Sequence, residues 1–500
     1  MLISSIGTWL LQVVIGSTAS ARDDLERAIS ALTPQLSSEA VVTFPWQERW
    51  ETLQIRSTSP RLAPHYSVVV EVATASDVQA TVATASKYDI PFLAVSGTHG
   101  WTKTLEKLPY GIQINMRKLN TATLSTDGKV AVVGGGMLQH EIVRSLFAKG
   151  KYTTTGLCEC TSVAGPLLGG GHNIVQGQYG FVLDNIISAR VVVASGELVE
   201  VSETKNPDLF WALRGAGHNF GIMTSFEMKA YDIPSNWTVY NIAFSGDKLE
   251  EIYGLVNKFE EPSFDKSNKL AMTSAIIRLP AVDPVNPIIN YVLAYEGSEA
   301  EAEPYAAQFK ALGPLSTTVS TDVDYIQLYT VTNNNLNQQP CVKNNNIAGA
   351  GISLPAWDVE GVRKAYTIFS NLSTDARFSK SIILLENYGT KGVRAIDPAS
   401  TALALEEREW AALAGPVMWW EGESEQDKQD AYAYIRGMED ALFMGLDKSG
   451  VKRHTYVNYA NGDEKRREQL YGYDDRLEKL AKLKKVWDPE YRFGFYNPVV

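Results

Sequence analysis

A histidine in a short glycine-containing turn is the first residue of the sequence that could do chemistry. The stretch VSGTHGW, residues 95–101, follows an apolar run, and His99 stands between Gly97 and Gly100. The consecutive backbone N–H groups of such a turn can bind a pyrophosphate without a basic side chain. His99 could be a base, a metal ligand, a cofactor anchor or a ring bonded only to the turn backbone. The turn alone leaves these four roles open.

Two cysteines directly before a glycine cluster form a second chemical feature. In GLCECTSVAGPLLGGG, residues 156–171, the backbone is glycine-rich enough to lie close to a ligand, which a nearby thiol would face. A cysteine taken alone is more often a small core residue. Cys158 and Cys160 would strain to bridge each other, and a metal pair would need further ligands that the sequence does not indicate. With Cys341, the three cysteines are too few for a disulfide framework.

A tyrosine-rich stretch near the C-terminus is the third feature. HTYVNYA, residues 454–460, alternates like a strand, which predicts Tyr456 and Asn458 on one face and Tyr459 on the other. Surface aromatics on a polar strand would give the same pattern. A phenol with an ordinary pKa near 10 becomes a useful base only when its site lowers that pKa.

The pattern of elements around these features predicts an α+β fold. Residues 66–96 form a strand, helix and strand, and the histidine turn follows at the edge where parallel sheets place ligands. Residues 111–136 and 187–202 alternate like antiparallel pairs. Beyond Pro234 glycines become rarer, which predicts a second α+β domain with an antiparallel sheet. The expected divisions are a signal peptide over 1–21, a helix and loop over 22–59, a first domain over 60–233, a second over 234–450 and a C-terminal module over 451–500.

Composition limits the partners and the compartment. A formal charge of −11 gives little support to nucleic-acid binding. The apolar N-terminal stretch ends in small residues 19–21, which predicts a secretory signal, although a buried N-terminal helix in a cytoplasmic protein would look similar. The sequons at Asn236 and Asn371 are compatible with secretion and a glycoprotein. No other segment is long and apolar enough for stable membrane insertion, and nothing indicates the oligomeric state.

Several common catalytic fingerprints are missing from the sequence. No Gly-x-Gly-x-x-Gly follows the first strand and no P-loop motif occurs, which argues against both kinds of nucleotide domain. Gly-x-Ser-x-Gly is absent, so a Ser/His/Asp hydrolase is not indicated. The six histidines include no His-x-x-x-His pair, and we predict no metal site.

Four stretches, in order, resemble the FAD-linked oxidases of the vanillyl-alcohol-oxidase, or PCMH, type. They are VSGTHG, GLCECTSVAGPLLGGG, LRGAGHNFGIMTSF, and YVNY with a closing DPEYRF. Within that superfamily the chain is similar to the berberine-bridge-enzyme-like branch, and to its fungal secondary-metabolism members. The resemblance implies an FAD-binding PCMH-type domain over 60–233, a substrate domain over 234–450 and a berberine-bridge-like module over 451–500 that completes the FAD site.

The resemblance also implies roles for individual residues. His99 would bond to the flavin 8α-methyl group and Cys158 to ring carbon C6, and Tyr459 would be the catalytic base. Beside the resemblance, Glu421 in MWWEGE is a second catalytic candidate, which the second domain could supply over the flavin ring. Three positions depart from the family pattern: Val95 replaces an arginine, and Thr98 and His172 replace glycines. The implied cofactor-binding residues are Ser96, Gly97, Thr98, His99, Gly100, Cys158, Gly165, Gly169, Gly170, Gly171, His172, Gly221, Ile222, Tyr456 and Asn458.

The activity that the resemblance implies is oxidation of a small molecule by covalently bound FAD. Tyr459 would remove a proton from the substrate, a hydride would pass to the flavin, and O₂ would accept the electrons. The expected substrate is a fungal secondary metabolite, with or without a coupled cyclisation. An oligosaccharide or alcohol oxidase, a non-redox flavin-bound cyclase and a flavin-binding scaffold are the alternatives.

Overall fold

A computed structural model describes residues 19–59, 62 and 64–500. Most of the predicted signal peptide, residues 1–18, lies outside the described residues. The first described helix, α1, begins within the predicted cleavage site and spans Ala19–Leu32. In the part of the chain that is described, no helix combines the length and apolarity needed to cross a membrane.

The first segment, residues 41–232, contains a four-stranded sheet in the order β1-β2-β4-β3. Strands β2, β4 and β3 are parallel, and a capping box at Thr74 and Asp77 starts helix α3 between β2 and β3. The predicted strand–helix–strand unit is therefore present. The elements are β1 Val41–Thr43, α2 Trp50–Leu53, β2 Val68–Glu71, α3 Ala75–Lys87, β3 Phe92–Val95 and β4 Ile112–Asn115. The prediction of an antiparallel strand at β4 was wrong, because all four of its residues are buried between two parallel neighbours.

A second, antiparallel sheet follows in the order β5-β6-β10-β8-β9, and it contains both predicted antiparallel pairs. A two-stranded ribbon, β7 with β11, lies beside it. The elements are β5 Ala122–Leu124, β6 Val130–Gly134, α4 Gln139–Phe147, β7 Lys151–Tyr152, α5 Ala164–Leu168, α6 Gln176–Tyr179, β8 Ile186–Val192, β9 Leu198–Ser202, α7 Pro207–Ala216, β10 Ile222–Lys229 and β11 Tyr231–Asp232.

The second segment, residues 237–449, is built on an eight-stranded antiparallel sheet in the order β15-β12-β14-β13-β18-β19-β16, with β17 also paired to β19. The elements are β12 Trp237–Ser245, α8 Leu249–Glu260, β13 Leu270–Ile277, β14 Ile288–Glu296, α9 Glu299–Lys310, β15 Ser316–Val323, α10 Leu328–Val331, β16 Asn346–Gly349, β17 Ile352–Leu354, α11 Val359–Leu372, β18 Ile382–Asn387, α12 Lys391–Arg394, α13 Leu405–Glu409, β19 Ala412–Trp420, α14 Glu425–Leu442 and α15 Met444–Ser449. Helices α8, α9, α11 and α14 pack on one face, where Leu385 is buried. Side chains alternate along a strand, so Glu386 points to the opposite face, toward the first segment.

The C-terminal residues return to the first segment, with helices α16 Glu468–Tyr471 and α17 Arg476–Trp487. Residues 454–460 do not form the predicted strand. They turn instead, with the Tyr459 N–H donating to the Tyr456 carbonyl at 2.9 Å. The side chain of Asn458 bonds to the Pro166 carbonyl at 2.9 Å, so the polar groups of this turn are satisfied by the glycine-rich stretch rather than by a neighbouring strand.

A buried ion pair within this module also bonds to the first segment. Lys484 Nζ lies 2.6 Å from Asp488 Oδ2 and donates to the Asn219 carbonyl at 2.6 Å, with both charged side chains buried. Replacing Lys484 by Met leaves the carboxylate buried without its cation. We expect the free energy of unfolding to fall by about 3–5 kcal/mol. Urea unfolding measures the loss, and Lys485→Met, at an exposed neighbour, is the matched control. Equal unfolding midpoints for the two variants would contradict the prediction.

Candidate active site

The histidine turn and the cysteine segment are in backbone contact. A Cβ atom added at Gly97 would lie 2.5 Å from the Ser162 nitrogen, so glycine is needed for this approach. The contact brings Cys160 Sγ to 3.9 Å from His99 Nδ1, and Cys158 Sγ to 3.4 Å from Cys160 Sγ. The two predicted flavin anchors, His99 and Cys158, therefore lie in one small region.

The surroundings of the two anchors set their protonation. Burial, helped by the nearby Lys343 ammonium, lowers the pKa of His99 to about 3, so its ring is neutral and keeps a free lone pair. Burial raises the pKa of the Cys158 thiol to about 11, although Lys343 opposes this shift. Burial also lowers the pKa of Lys343 to about 8, and its Nζ donates to the Gly97 carbonyl at 3.0 Å.

The third cysteine joins this region, which the sequence did not indicate. Cys160 and Cys341 form a disulfide across 181 residues, and Cys158 is the free cysteine of the three. This single bridge was not among the sequence-based predictions. It forms because the fold brings a loop of the second segment onto residues 158–160. No local spacing in the sequence could have indicated this contact. Two disulfide-bonded sulfurs offer no thiolate, so the three sulfur atoms do not form a metal site in this state.

The glycine-rich stretch, which contains several of the predicted cofactor contacts, packs against the C-terminal turn. The Gly171 N–H donates to the Tyr456 hydroxyl at 2.8 Å, and Asn458 Nδ2 donates to the same oxygen at 2.7 Å. A Cβ atom at Gly169 would lie 2.2 Å from Asn458 Oδ1. The structure thus brings together the residues Gly169, Gly170, Gly171, Tyr456 and Asn458. Their contacts with a cofactor stay predictions.

Two further predicted contacts lie at the ends of other elements. The Gly165 N–H donates to Ser162 Oγ at 3.1 Å, in the segment that touches the histidine turn. Gly221 precedes β10, and a Cβ atom there would lie 2.5 Å from Val191 Cγ1. Ile222 pairs with Val192 in the second sheet. Close packing between strands is therefore one reason for glycine at position 221, and the adenosine contact stays a prediction.

The histidine turn fits the diphosphate of FAD. Among the described residues, none accepts a hydrogen bond from the backbone N–H groups of residues 97–100. Thr98 has a φ of 51°, the left-handed conformation in which glycine is favoured. Arg56 Nη2 donates to the Gly100 carbonyl at 3.3 Å, while its buried Nε has no partner within the part of the chain that the structure describes. The free donors would suit a phosphate, and Arg56 and Lys343 supply the positive charge that Val95 lacks.

A tyrosine–glutamate pair lies beside this region. The Tyr459 hydroxyl donates to Glu386 Oε2 at 3.2 Å, and the Tyr388 hydroxyl donates to Glu386 Oε1 at 2.5 Å. The Trp101 ring connects the two parts, with its centroid 6.3 Å from that of His99 and 6.1 Å from that of Tyr459. Tyr459, the predicted base, is thus placed near the predicted anchors.

The pKa values in this pair change the expected role of the phenol. Burial, reinforced by the Glu386 carboxylate, raises the pKa of Tyr459 well above its ordinary value. The expectation that a lowered pKa would make the phenol a base is therefore not met. Burial also raises the pKa of Glu386, which can take the phenolic proton. Sequence reasoning missed Glu386, although it is a polar residue at the end of the apolar run SIILLE.

Glu421, the second predicted catalytic residue, lies elsewhere. It follows the end of β19, its side chain is 67% exposed, and it pairs with Lys380 at 3.2 Å. The prediction that it projects over the flavin is corrected for this reason. The carboxylate that the second segment supplies beside Tyr459 is Glu386, on the neighbouring strand.

His172 lies behind the tyrosine–glutamate pair. Its ring stacks on Tyr388 with centroids 5.3 Å apart, and its Nε2 lies 3.2 Å from Glu407 Oε2. His454 Nε2 lies 2.9 Å from the other Glu407 oxygen. Burial alone would raise the pKa of Glu407, but the two histidine rings beside its carboxylate outweigh that effect and lower the pKa. The His172 side chain is therefore used within the protein, and only its backbone remains available as the predicted cofactor contact.

Comparisons with known proteins identify the family of the chain. Residues 66–202 match the family described as FAD binding domain, and residues 455–499 match the family described as Berberine and berberine like. The fold and the two matches define an FAD-linked oxidoreductase with a berberine-like C-terminal module. The chain is 34% identical to the FAD-linked oxidoreductase chry5 of Gibberella zeae, over 94% of each chain. It belongs to this family of FAD-linked oxidoreductases, which confirms the predicted class of enzyme and its FAD cofactor.

Solved structures share the fold. The xylooligosaccharide oxidase of Myceliophthora thermophila, in complex with xylobiose, has a TM-score of 0.79 and 23% identity, and the match covers 96% of this chain and 99% of that one. The glucooligosaccharide oxidase of Acremonium strictum, described as revealing a novel flavinylation, has a TM-score of 0.78 and 20% identity, with 94% and 98% covered. The predicted α+β architecture, with its antiparallel sheet and berberine-like module, is confirmed.

Proposed function

We propose that this enzyme is an oxidase that removes a proton and a hydride from a small-molecule substrate and uses O₂ as its electron acceptor. The observation that carries the proposal is the partly buried Tyr459–Glu386 hydrogen bond beside the two predicted flavin anchors. FAD bound there would supply the hydride acceptor and the reaction with O₂. The residues 97–100, Arg56 and Lys343 would hold its diphosphate.

The protein's own part is to move one proton. Tyr459 reaches the substrate hydroxyl and accepts its proton while its own proton passes to Glu386 Oε2. Because the pKa of Tyr459 is raised, the phenol would not ionise by itself at neutral pH. Tyr388 donates to the other carboxylate oxygen and fixes the orientation of Glu386. Because the two proton transfers occur together, Tyr459 can accept the substrate proton without first ionising.

The apolar side chains near Tyr459 support an apolar or aromatic substrate, such as a secondary metabolite. Ile347, Val417 and Trp419 form a buried cluster on the sheet face near Tyr459, and Trp101 packs against it. The Trp101 indole N–H is used by the Tyr459 carbonyl at 3.3 Å, so it does not offer a sugar a hydrogen bond. A cyclisation of the oxidised product would be compatible with apolar surroundings of this kind.

Anaerobic mixing tests the oxidase proposal. We expect candidate substrates to bleach the visible flavin band without air, and oxygen to restore the band with formation of H₂O₂. Product formation without bleaching would overturn the oxidase and favour a non-redox cyclase. Absence of both, across aromatic metabolites and oligosaccharides, would favour a binding scaffold.

We further propose that FAD is attached through both His99 and Cys158. Each attachment replaces a flavin hydrogen and the protein's N–H or S–H hydrogen by one bond, and O₂ accepts the two electrons. We expect the flavin to stay on the chain after acid denaturation, with a peptide mass that includes both links. His99→Ala and Cys158→Ala should each keep a single link. Release of free FAD from the unmodified protein would disprove double attachment.

We also propose that the protein enters the secretory pathway. The Cys160–Cys341 disulfide supports this, since such bonds persist in oxidising compartments. Asn236 and Asn371 are both exposed, as glycan acceptors must be. Digestion with a glycosidase and sequencing of the mature N-terminus test the proposal, and an intact residue 1 without glycans would favour a cytoplasmic protein.

A further inference from the structure

Three sulfur atoms meet at the predicted flavin anchor, and two of them are already joined. Cys158 Sγ lies 3.4 Å from Cys160 Sγ and 3.4 Å from Cys341 Sγ, which are the two atoms of the disulfide. Cys158 is therefore the thiol left over from a set of three. Which cysteine is left over decides whether a thiol is available at position 158.

Contacts other than the disulfide hold Cys341 at this place. The Glu159 N–H donates to the Asn334 carbonyl at 3.1 Å, and the Leu336 N–H donates to the Glu159 carboxylate at 2.8 Å. On the other side of Cys341, the Asn345 N–H donates to the Ser57 carbonyl at 3.0 Å. The loop therefore stays beside Cys158 when the disulfide is removed.

We propose that Cys160 protects the flavin-anchoring thiol by keeping Cys341 in a disulfide, and that without Cys160 the Cys341 sulfur bonds to Cys158 instead. The proposal rests on the proposed attachment of FAD to Cys158. In the alternative pairing the two thiols lose two protons and two electrons to a low-molecular-weight disulfide, which is reduced to two thiols. Cys158 then has no S–H with which to bond the flavin.

The geometry protects the pairing once it has formed. A thiolate attacks a disulfide along the line of the sulfur–sulfur bond, whereas equal distances place Cys158 beside the middle of that bond. The raised pKa of Cys158 further keeps it in the unreactive thiol form. Pairing of Cys158 with Cys160 is disfavoured, because a single intervening residue leaves little room for an unstrained bridge.

Three variants of the full chain separate this role from simple crosslinking. Cys160→Ser and Cys341→Ser both remove the same link between the two segments, so they lose the same structural support. In Cys160→Ser, Cys341 is free to capture Cys158, and we expect the flavin link at Cys158 to fall at least about tenfold. In Cys341→Ser and in the double variant the competing sulfur is absent, and we expect the link to be kept.

The readout is peptide mapping without reductant, on protein that was expressed or refolded in the presence of oxidised glutathione. It quantifies the flavin-bearing Cys158 peptide and the Cys158–Cys341 peptide. Equal flavin links in the two single variants, or no recovery in the double variant, would overturn the proposal. If the unmodified protein carries no flavin on Cys158, the proposed attachment at Cys158 fails. The protection of the Cys158 thiol is then judged by the disulfide alone: a Cys158–Cys341 peptide found only in Cys160→Ser supports it, and the absence of that peptide refutes it.

Discussion

Replacing Tyr459 by Phe is expected to slow substrate-driven bleaching of the flavin by about 10²–10⁴-fold, which corresponds to about 3–5 kcal/mol of the barrier. The variant keeps the ring that packs near Trp101 but removes the hydroxyl that receives the substrate proton. It also leaves Glu386 Oε2 without its donor. Stopped-flow spectroscopy without oxygen measures the bleaching rate directly, apart from reoxidation.

The flavin content of this variant should not change, because neither His99 nor Cys158 is bonded to the Tyr459 hydroxyl. Tyr473→Phe is a suitable control, since its hydroxyl donates to the Arg453 carbonyl elsewhere in the C-terminal module. That control should bleach at the rate of the unmodified enzyme. A Tyr459→Phe enzyme that bleaches within a few-fold of the unmodified rate would refute Tyr459 as the proton acceptor.

His99 and Cys158 could be singled out from the sequence because the motifs that resemble the family are local, and their bonds to the flavin stay predictions. The histidine turn follows a strand that its own residues define, and Cys158 stands at a fixed distance before three consecutive glycines. Backbone geometry of this kind depends on residues within a few positions, and the sequence contains them. The fold class follows in the same way from alternating and helical patterns.

The partners of these residues could not be predicted because they are contributed by distant segments. Cys341 reaches Cys160 across 181 residues, and Glu386 meets Tyr459 through the pairing order of an eight-stranded sheet. The strand predicted at 454–460 is absent, because alternating residue types can have another cause. The side chains of Tyr456 and Asn458 both bond to the glycine-rich stretch, although they do not share the face of a strand. Glu421 lies near the correct strand but beyond its last residue, where the chain meets solvent.

Replacing Glu386 by Gln is the second change with a large expected effect. An amide cannot accept the phenolic proton, so we expect bleaching to slow by about 10²-fold at neutral pH. The pH dependence should change as well. In the unmodified enzyme Glu386 acts in its ionised form, which is lost as the pH falls through its pKa, and burial raises that pKa above the ordinary value of 4.5. The acid side of the rate profile should therefore decline at a higher pH than an ordinary glutamate would cause.

This decline should disappear in Glu386→Gln, because the residue no longer titrates, while the slow remaining rate becomes independent of pH on the acid side. Glu421→Gln is the matched control: it removes an exposed carboxylate at the end of the adjacent strand and should leave both the rate and the acid limb unchanged. The comparison also decides which of the two candidate carboxylates, Glu386 or Glu421, accepts the proton. If the acid limb persisted in Glu386→Gln but vanished in Glu421→Gln, Glu386 would not be the group that accepts the phenolic proton. The exposed Glu421 carboxylate would then be the catalytic one.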